Sequence, residues 1–227
     1  LSEVDLTPQE RRKIDRYLDV TKSAFLFGGR VMLVEGIAEA LLLPVIAKKH
    51  VFSGNAENYR IFRSAVFVPI DGVDFEPYAK VLLTPFNGTR ICDKLVITTD
   101  GDKSKQSGEE LPGRKRKTGL EAVARGLDAS AHLAVEVSTY TLESELVEAG
   151  NEQIMRDAFL ELHPRSSGRW DAAMAETGNT RAAAIEKLFE DRRKGDFAQV
   201  LAEQIRDRED FVTPGYLARA LEALVGN

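Results

Sequence analysis

Between residues 30 and 150 short apolar runs alternate with helical stretches, and this alternation admits few folds. "RVMLVEG" (30–36), "AVFVPIDG" (65–72), "KLVITTDGD" (94–102) and "HLAVEV" (132–137) have the length and the β-branched and long apolar content of buried strands. "IAEALLLPVIAKKH" (37–50), "DFEPYAKVLLTPF" (74–86) and "LEAVARGL" (120–127) have helical spacing, with Asp74 as a cap and Pro44 as a kink or early end. Strand and helix in alternation make a parallel sheet covered on both faces, and such sheets bind ligands at the carboxyl ends of their strands. "KSKQSGEELPGRKRKTG" (103–119) is polar and glycine-containing and reads as a surface loop.

The pattern changes on either side. "LTPQERRKIDRYLDVTKSAFLF" (6–27) opens with a threonine-proline helix start, and from Asn151 onward only helical periodicity remains, ending in "PGYLARALEALV" (214–225). The expected organisation is an N-terminal helix packed on the catalytic region (1–28), an α/β sheet domain (29–150) and an all-helical subdomain (151–227).

The single cysteine, Cys92, excludes an internal disulfide and a cysteine metal cage, and makes a cytoplasmic setting the default. The longest apolar stretch, Ile37–Ala47, is far shorter than the ~20 residues of a membrane span, and no secretory leader opens the chain, so no membrane partner is expected. A net charge of −5 argues against a protein that coats nucleic acid, yet suits one that meets nucleic acid through metal ions. The first residue is leucine, which suggests a piece of a longer protein.

Three of the strand ends carry acid. Glu35 closes the first and Glu39 follows one helical turn later; Asp100 and Asp102 close the third; Glu143 follows the fourth, two residues after Thr141. If the strands are adjacent, five carboxylates meet at one edge, repelling one another by roughly 4 kcal/mol per close pair at an effective dielectric of 20. Divalent cations resolve that repulsion, and an oxygen-only donor set favours Mg²⁺ or Mn²⁺, with enough acids for two ions. Taken singly, each acid has an ordinary explanation: Glu39 as a dipole-complementing or surface residue, Asp-x-Asp as chance in an acidic chain. Their joint occurrence at three strand ends is the specific signal.

"VMLVEGIAEALLLP" and "LVITTDGD" resemble the Toprim signature. With "FLFGGRVMLVEG", "TYTLE", "KGDFAQ" and "FVTPGYLARALEAL" in this order, almost the whole chain resembles the carboxy-terminal nuclease region of OLD (overcoming lysogenization defect) family proteins. That resemblance implies a Toprim-like parallel sheet flanked by helices, and two-metal cleavage of DNA. It makes Glu35, Glu39, Asp100, Asp102 and Glu143 the candidate ligands of two Mg²⁺ or Mn²⁺ ions, puts the Thr141 hydroxyl beside them, and sets Lys194 near the scissile phosphate. Without it, Lys194 is a surface lysine at a helix start. The resemblance also implies an N-terminal ATPase domain elsewhere in the same full-length protein; "GEELPGRK" (108–115) approximates a phosphate-binding loop but has Arg114 where lysine is required.

Other features are weaker. "RKRK" (114–117) and Arg192, Arg193 and Lys194 are basic runs that either track a DNA backbone or are simply solvated. His50, His132 and His163 lack metal spacing and read as structural or exposed, Trp170 beside Arg169 reads as core rather than as a platform for a base, and none of the five tyrosines has the context of a topoisomerase nucleophile. Two rivals stay open: a Mg²⁺-dependent phosphatase with Asp100 as nucleophile and Asp102 as acid, and a non-catalytic interaction module.

Overall fold

A computed structural model describes residues 4–12, 14, 29–102, 110–189 and 194–226. Most of the expected N-terminal helix, part of the 103–119 segment, and Arg192 and Arg193 lie outside these residues.

Four parallel strands form one sheet: β1 (Arg30–Val34), β2 (Val66–Pro69), β3 (Lys94–Thr99) and β4 (Leu133–Val137), in the order β2-β1-β3-β4. Side chains alternate across a strand, so β1 sends Val31 and Leu33 to one face and Met32 and Val34 to the other; all four are fully buried because both faces are covered. On the first face lie α3 (Glu76–Leu83) and α4 (Pro112–Gly126), whose Tyr78, Leu82 and Leu120 pack with Val31, Leu33, Leu95 and Ile97. On the second face Leu42, Leu43 and Ile46 of α1 (Ile37–Ile46) join Met32, Val34 and Val96. A further short helix, α2 (Ala56–Ser64), precedes β2.

The remaining helices are α5 (Leu142–Leu146), α6 (Glu152–Leu162), α7 (Ser167–Met174), α8 (Gly178–Phe189), α9 (Lys194–Ile205) and α10 (Gly215–Val225). Their apolar faces, including Phe159, Trp170, Phe197, Leu201 and Leu221, continue the core that begins on the second face of the sheet. α9 packs along α1, and α10 lies on β3 and β4. The chain end is tied down by Arg30, whose Nη1 donates to the carbonyls of Leu224 (2.6 Å) and Gly226 (2.7 Å), oxygens that a helix end leaves without a partner.

Two local expectations are corrected. Pro44 does not end its helix: α1 runs on to Ile46 and continues as a wider π-type turn over Ala47–Val51. Burial of Leu42, Leu43 and Ile46 on successive turns outweighs the one backbone hydrogen bond that proline removes. Nor is the stretch before residue 120 all loop, since α4 starts at Pro112, the position where a proline's missing N–H costs nothing. Gly113 is what lets that first turn seat: a Cβ there would lie 2.2 Å from the Asp100 carbonyl and 2.8 Å from the Gly101 Cα.

Candidate functional site

The chain runs from β1 outward to β2, then crosses back over β1 to β3. The strand order therefore reverses between β1 and β3, where parallel sheets open a crevice at their carboxyl ends. A cleft of about 420 Å³ lies there, lined by Glu35 beyond β1, Glu39 in the first turn of α1, Asp100 beyond β3, Glu143 in the first turn of α5, and Lys194 at the start of α9. Asp71, which follows β2 with a left-handed backbone (φ 52°), lines it too. Of the sequence-predicted acids, four line this cleft and Asp102 stands beside it.

Each acid is held by identifiable chemistry. The Glu35 carboxylate accepts from the Asp100 N–H (2.8 Å), from the Thr99 hydroxyl and from Arg116 Nη2 (3.3 Å). Asp100 accepts from the Ser138 hydroxyl (3.3 Å), which itself accepts from the Gly101 N–H (3.1 Å). Gly101 is required for this contact with β4: a Cβ there would lie 2.5 Å from the carbonyls of Ser138 and Thr139. Asp102, at φ 57°, accepts from Arg116 Nη2 (2.7 Å), and its N–H donates to the Tyr140 carbonyl (3.0 Å). Glu143, only 4% exposed, is paired with Lys194 at 3.2 Å. The Thr141 hydroxyl is occupied in capping α5, where it accepts from the Ser144 N–H (3.3 Å) while the Ser144 hydroxyl receives the Thr141 N–H (3.0 Å).

Burial dominates the electrostatics. It pushes the Asp100 carboxyl well above the usual carboxylate range, and the charges of Glu35, Glu143 and Glu39 push it further. Glu39, 8% exposed, rises to about 7 for the same reasons, burial first and then Glu35 and Glu143. Glu35 and Asp102 are also raised by burial, against the opposing pull of the Thr99 and Asp100 hydrogen bonds on Glu35 and of Arg116 on both. Burial lowers the Lys194 ammonium, but Glu143, Asp100 and Glu39 carry it above its ordinary value. Behind them the buried Tyr216 phenol is pushed far up, by burial and then by the field of Asp100 and Glu39.

The donor set fits a hard divalent cation: it is all carboxylate, largely desolvated, and self-repelling enough to hold protons that free carboxylates would release. Among the described residues, however, no three His, Cys, Asp or Glu side chains are already gathered at metal-binding spacing. Three of the five acids are instead paired with cations, Glu35 and Asp102 with Arg116 and Glu143 with Lys194.

Arg116 is the residue that sequence reasoning misplaced. "RKRK" lies on a helix, not in a loop, so its four side chains fan out around the axis. Arg116 turns into the site, Lys117 Nζ donates to the Val135 carbonyl (2.8 Å) and pairs with Glu121, and Arg114 lines a separate cleft of about 360 Å³ with Arg219, which is itself paired with Glu136. Asp71, Ser138 and Tyr216 were also missed, and no spacing signal marks them. The histidines are structural: His50 meets the Ile205 carbonyl, His132 meets that of Asp93, and His163 packs on Phe159. Trp170 is core. No helix among the described residues is long and apolar enough to cross a membrane.

No protein-family model matches the chain. No curated protein matches it either. Solved structures do. The carboxy-terminal region of the Burkholderia pseudomallei OLD protein matches 88% of this chain and 98% of its own, at 24% identity and a TM-score of 0.63. The carboxy-terminal region of the Xanthomonas campestris pv. campestris OLD protein matches 88% and 95%, at 25% identity and a TM-score of 0.59. Four parallel strands, the acids at their carboxyl edge and the closing helices thus give this chain the Toprim-like architecture of an OLD carboxy-terminal region, the family to which the order of its motifs pointed.

Proposed function

We propose that the chain is a metal-dependent DNA endonuclease that hydrolyses phosphodiester bonds. The observation that carries this is the convergence of Glu35, Glu39, Asp100 and Glu143 with one lysine, Lys194, on a single cleft at the switch point of the sheet. The likeness to OLD carboxy-terminal regions supports a nuclease-type role.

Glu35, Glu39, Asp100, Asp102 and Glu143 are the residues that would hold two Mg²⁺ or Mn²⁺ ions, with Thr141 acting through the cap that orients Glu143. Ions held there supply activation of a water and neutralisation of the charge on the departing 3′ oxygen. The protein contributes the rest. Capping by Thr141 and Ser144 fixes the first turn of α5, and with it Glu143. Close packing at Gly101 and Gly113 holds the Asp-Gly-Asp turn against α4 and the end of β4. Lys194, half-exposed and already in the field of three carboxylates, is placed to meet phosphoryl oxygens as a substrate arrives. The matched structures are themselves carboxy-terminal regions, which supports reading this chain as part of a longer protein; that its remainder is an N-terminal ATPase domain rests on the resemblance of the motifs.

The test is cleavage of supercoiled plasmid with Mg²⁺, Mn²⁺ or EDTA. Nicking or linearisation that needs metal and falls at least about a hundredfold in Glu39→Ala is the expected result. Cleavage that persists in EDTA, or survives Glu39→Ala intact, sinks the proposal; retained phosphatase turnover in that variant with loss in Asp100→Asn would instead identify an aspartyl-phosphate enzyme.

A further inference from the structure

Arg116 is bound more closely to the acids than any other cation among the described residues. A single nitrogen, Nη2, faces three oxygens: Asp102 Oδ2 at 2.7 Å, the Asp100 carbonyl at 2.9 Å and Glu35 Oε1 at 3.3 Å. Nε of the same guanidinium donates to the Thr99 hydroxyl at 2.9 Å, which in turn donates to Glu35. Two carboxylates and a backbone carbonyl around one point are what a hard divalent cation takes as ligands, but Mg²⁺ and Mn²⁺ need oxygens at ~2.0–2.2 Å. A guanidinium nitrogen and a metal ion therefore cannot share these oxygens.

Resting on the metal-dependent reading above, we infer that Arg116 is the resident counter-ion of the Glu35–Asp102 half of the site, and that a divalent cation enters there only by displacing it. The arrangement accounts for how acids this desolvated stand side by side: the guanidinium offsets the charge of Glu35 and Asp102 and orients their oxygens toward itself. Arg116 is thus a positioning residue that sets the affinity for the entering cation. Arginine suits the task better than lysine, since its planar fork reaches Thr99 and both acids at once.

Calorimetric titration of Mn²⁺ into the wild-type chain, Arg116→Gln and Glu39→Ala tests this. The expected result is binding about tenfold tighter in Arg116→Gln, the ratio given by removing one competing charge-assisted contact, and binding lost or greatly weakened in Glu39→Ala. Arg116→Lys should fall between wild type and Arg116→Gln. Equal or weaker binding in Arg116→Gln overturns the inference while leaving the metal-dependent reading standing; no saturable binding to either protein overturns both. A second measurement does not depend on the variant folding. In the wild type, the Arg116 Nε–H resonance should move and lose exchange protection as diamagnetic Mg²⁺ is added. A resonance that stays fixed while Mg²⁺ binds overturns the displacement.

Discussion

At one end of the cleft, acids from β1 and β3 close around Arg116, whose side chain is 17% exposed; at the other, Glu143 meets Lys194, 48% exposed, through one contact of 3.2 Å. The cations differ in kind. A guanidinium with several directed donors locks the Glu35–Asp102 end into one arrangement, whereas an ammonium on a flexible stem neutralises Glu143 without fixing much else. The first contact belongs to the fold as much as to the site, because Arg116 rides on α4 and α4 is seated on Gly113. The second stands half in water, and in the proposed function it is the contact that a substrate phosphate would take over.

The largest expected difference is functional. Lys194→Ala should lower metal-dependent plasmid cleavage by roughly 10²–10³, the cost of losing one electrostatic donor to a developing charge, without weakening Mn²⁺ binding. Cleavage unchanged in this variant would remove the lysine from the chemistry and erase the distinction between the two ends. Next in size is stability in the metal-free protein. Arg116→Ala should cost about 1–3 kcal/mol in urea unfolding, because it leaves Glu35 and the more open Asp102 without their counter-ion. Gly113→Ala should cost about 1–3 kcal/mol, since the added carbon must push α4 off the Asp100 carbonyl. If instead it is neutral, the seating of α4 on the Asp-Gly-Asp turn is looser than described.

A smaller effect comes from pH. Glu39 is raised to about 7 from an ordinary value of 4.5, so between those pH values the folded chain holds a proton that the unfolded chain has released. Stability of the metal-free protein must then fall as pH rises through that window, with a slope of at most about 1.4 kcal/mol per pH unit from this one group. Glu39→Gln should flatten the slope, which urea midpoints at pH 5, 6 and 7 would reveal.

Much of this was legible in the chain itself. The four strands come from runs whose apolar residues are buried on both faces, and their alternation with helices compels a parallel sheet, so Glu35, Asp100 and the start of α5 had to emerge on one edge. The helices α6, α8, α9 and α10 follow from periodicity alone. The segment before residue 120 was misread because its glycines and charges look like loop chemistry, while the cause of its helix is tertiary: the first turn of α4 packs against the β3 exit, a contact between residues far enough apart that no local spacing encodes it. Pro44 failed as a stop signal for a similar reason, with burial outweighing propensity.

What the sequence by itself determined is which residues reach the carboxyl edge, because strand direction and helix period are local properties of the backbone. What only the tertiary structure decided is which partner each acid takes: Arg116 for Glu35 and Asp102, Lys194 for Glu143, and burial, with the field of the neighbouring acids, to lift Glu39 and Asp100. Those choices depend on distances between side chains 14 to 81 positions apart and on how much water each retains, and both are set only when the helices close over the sheet.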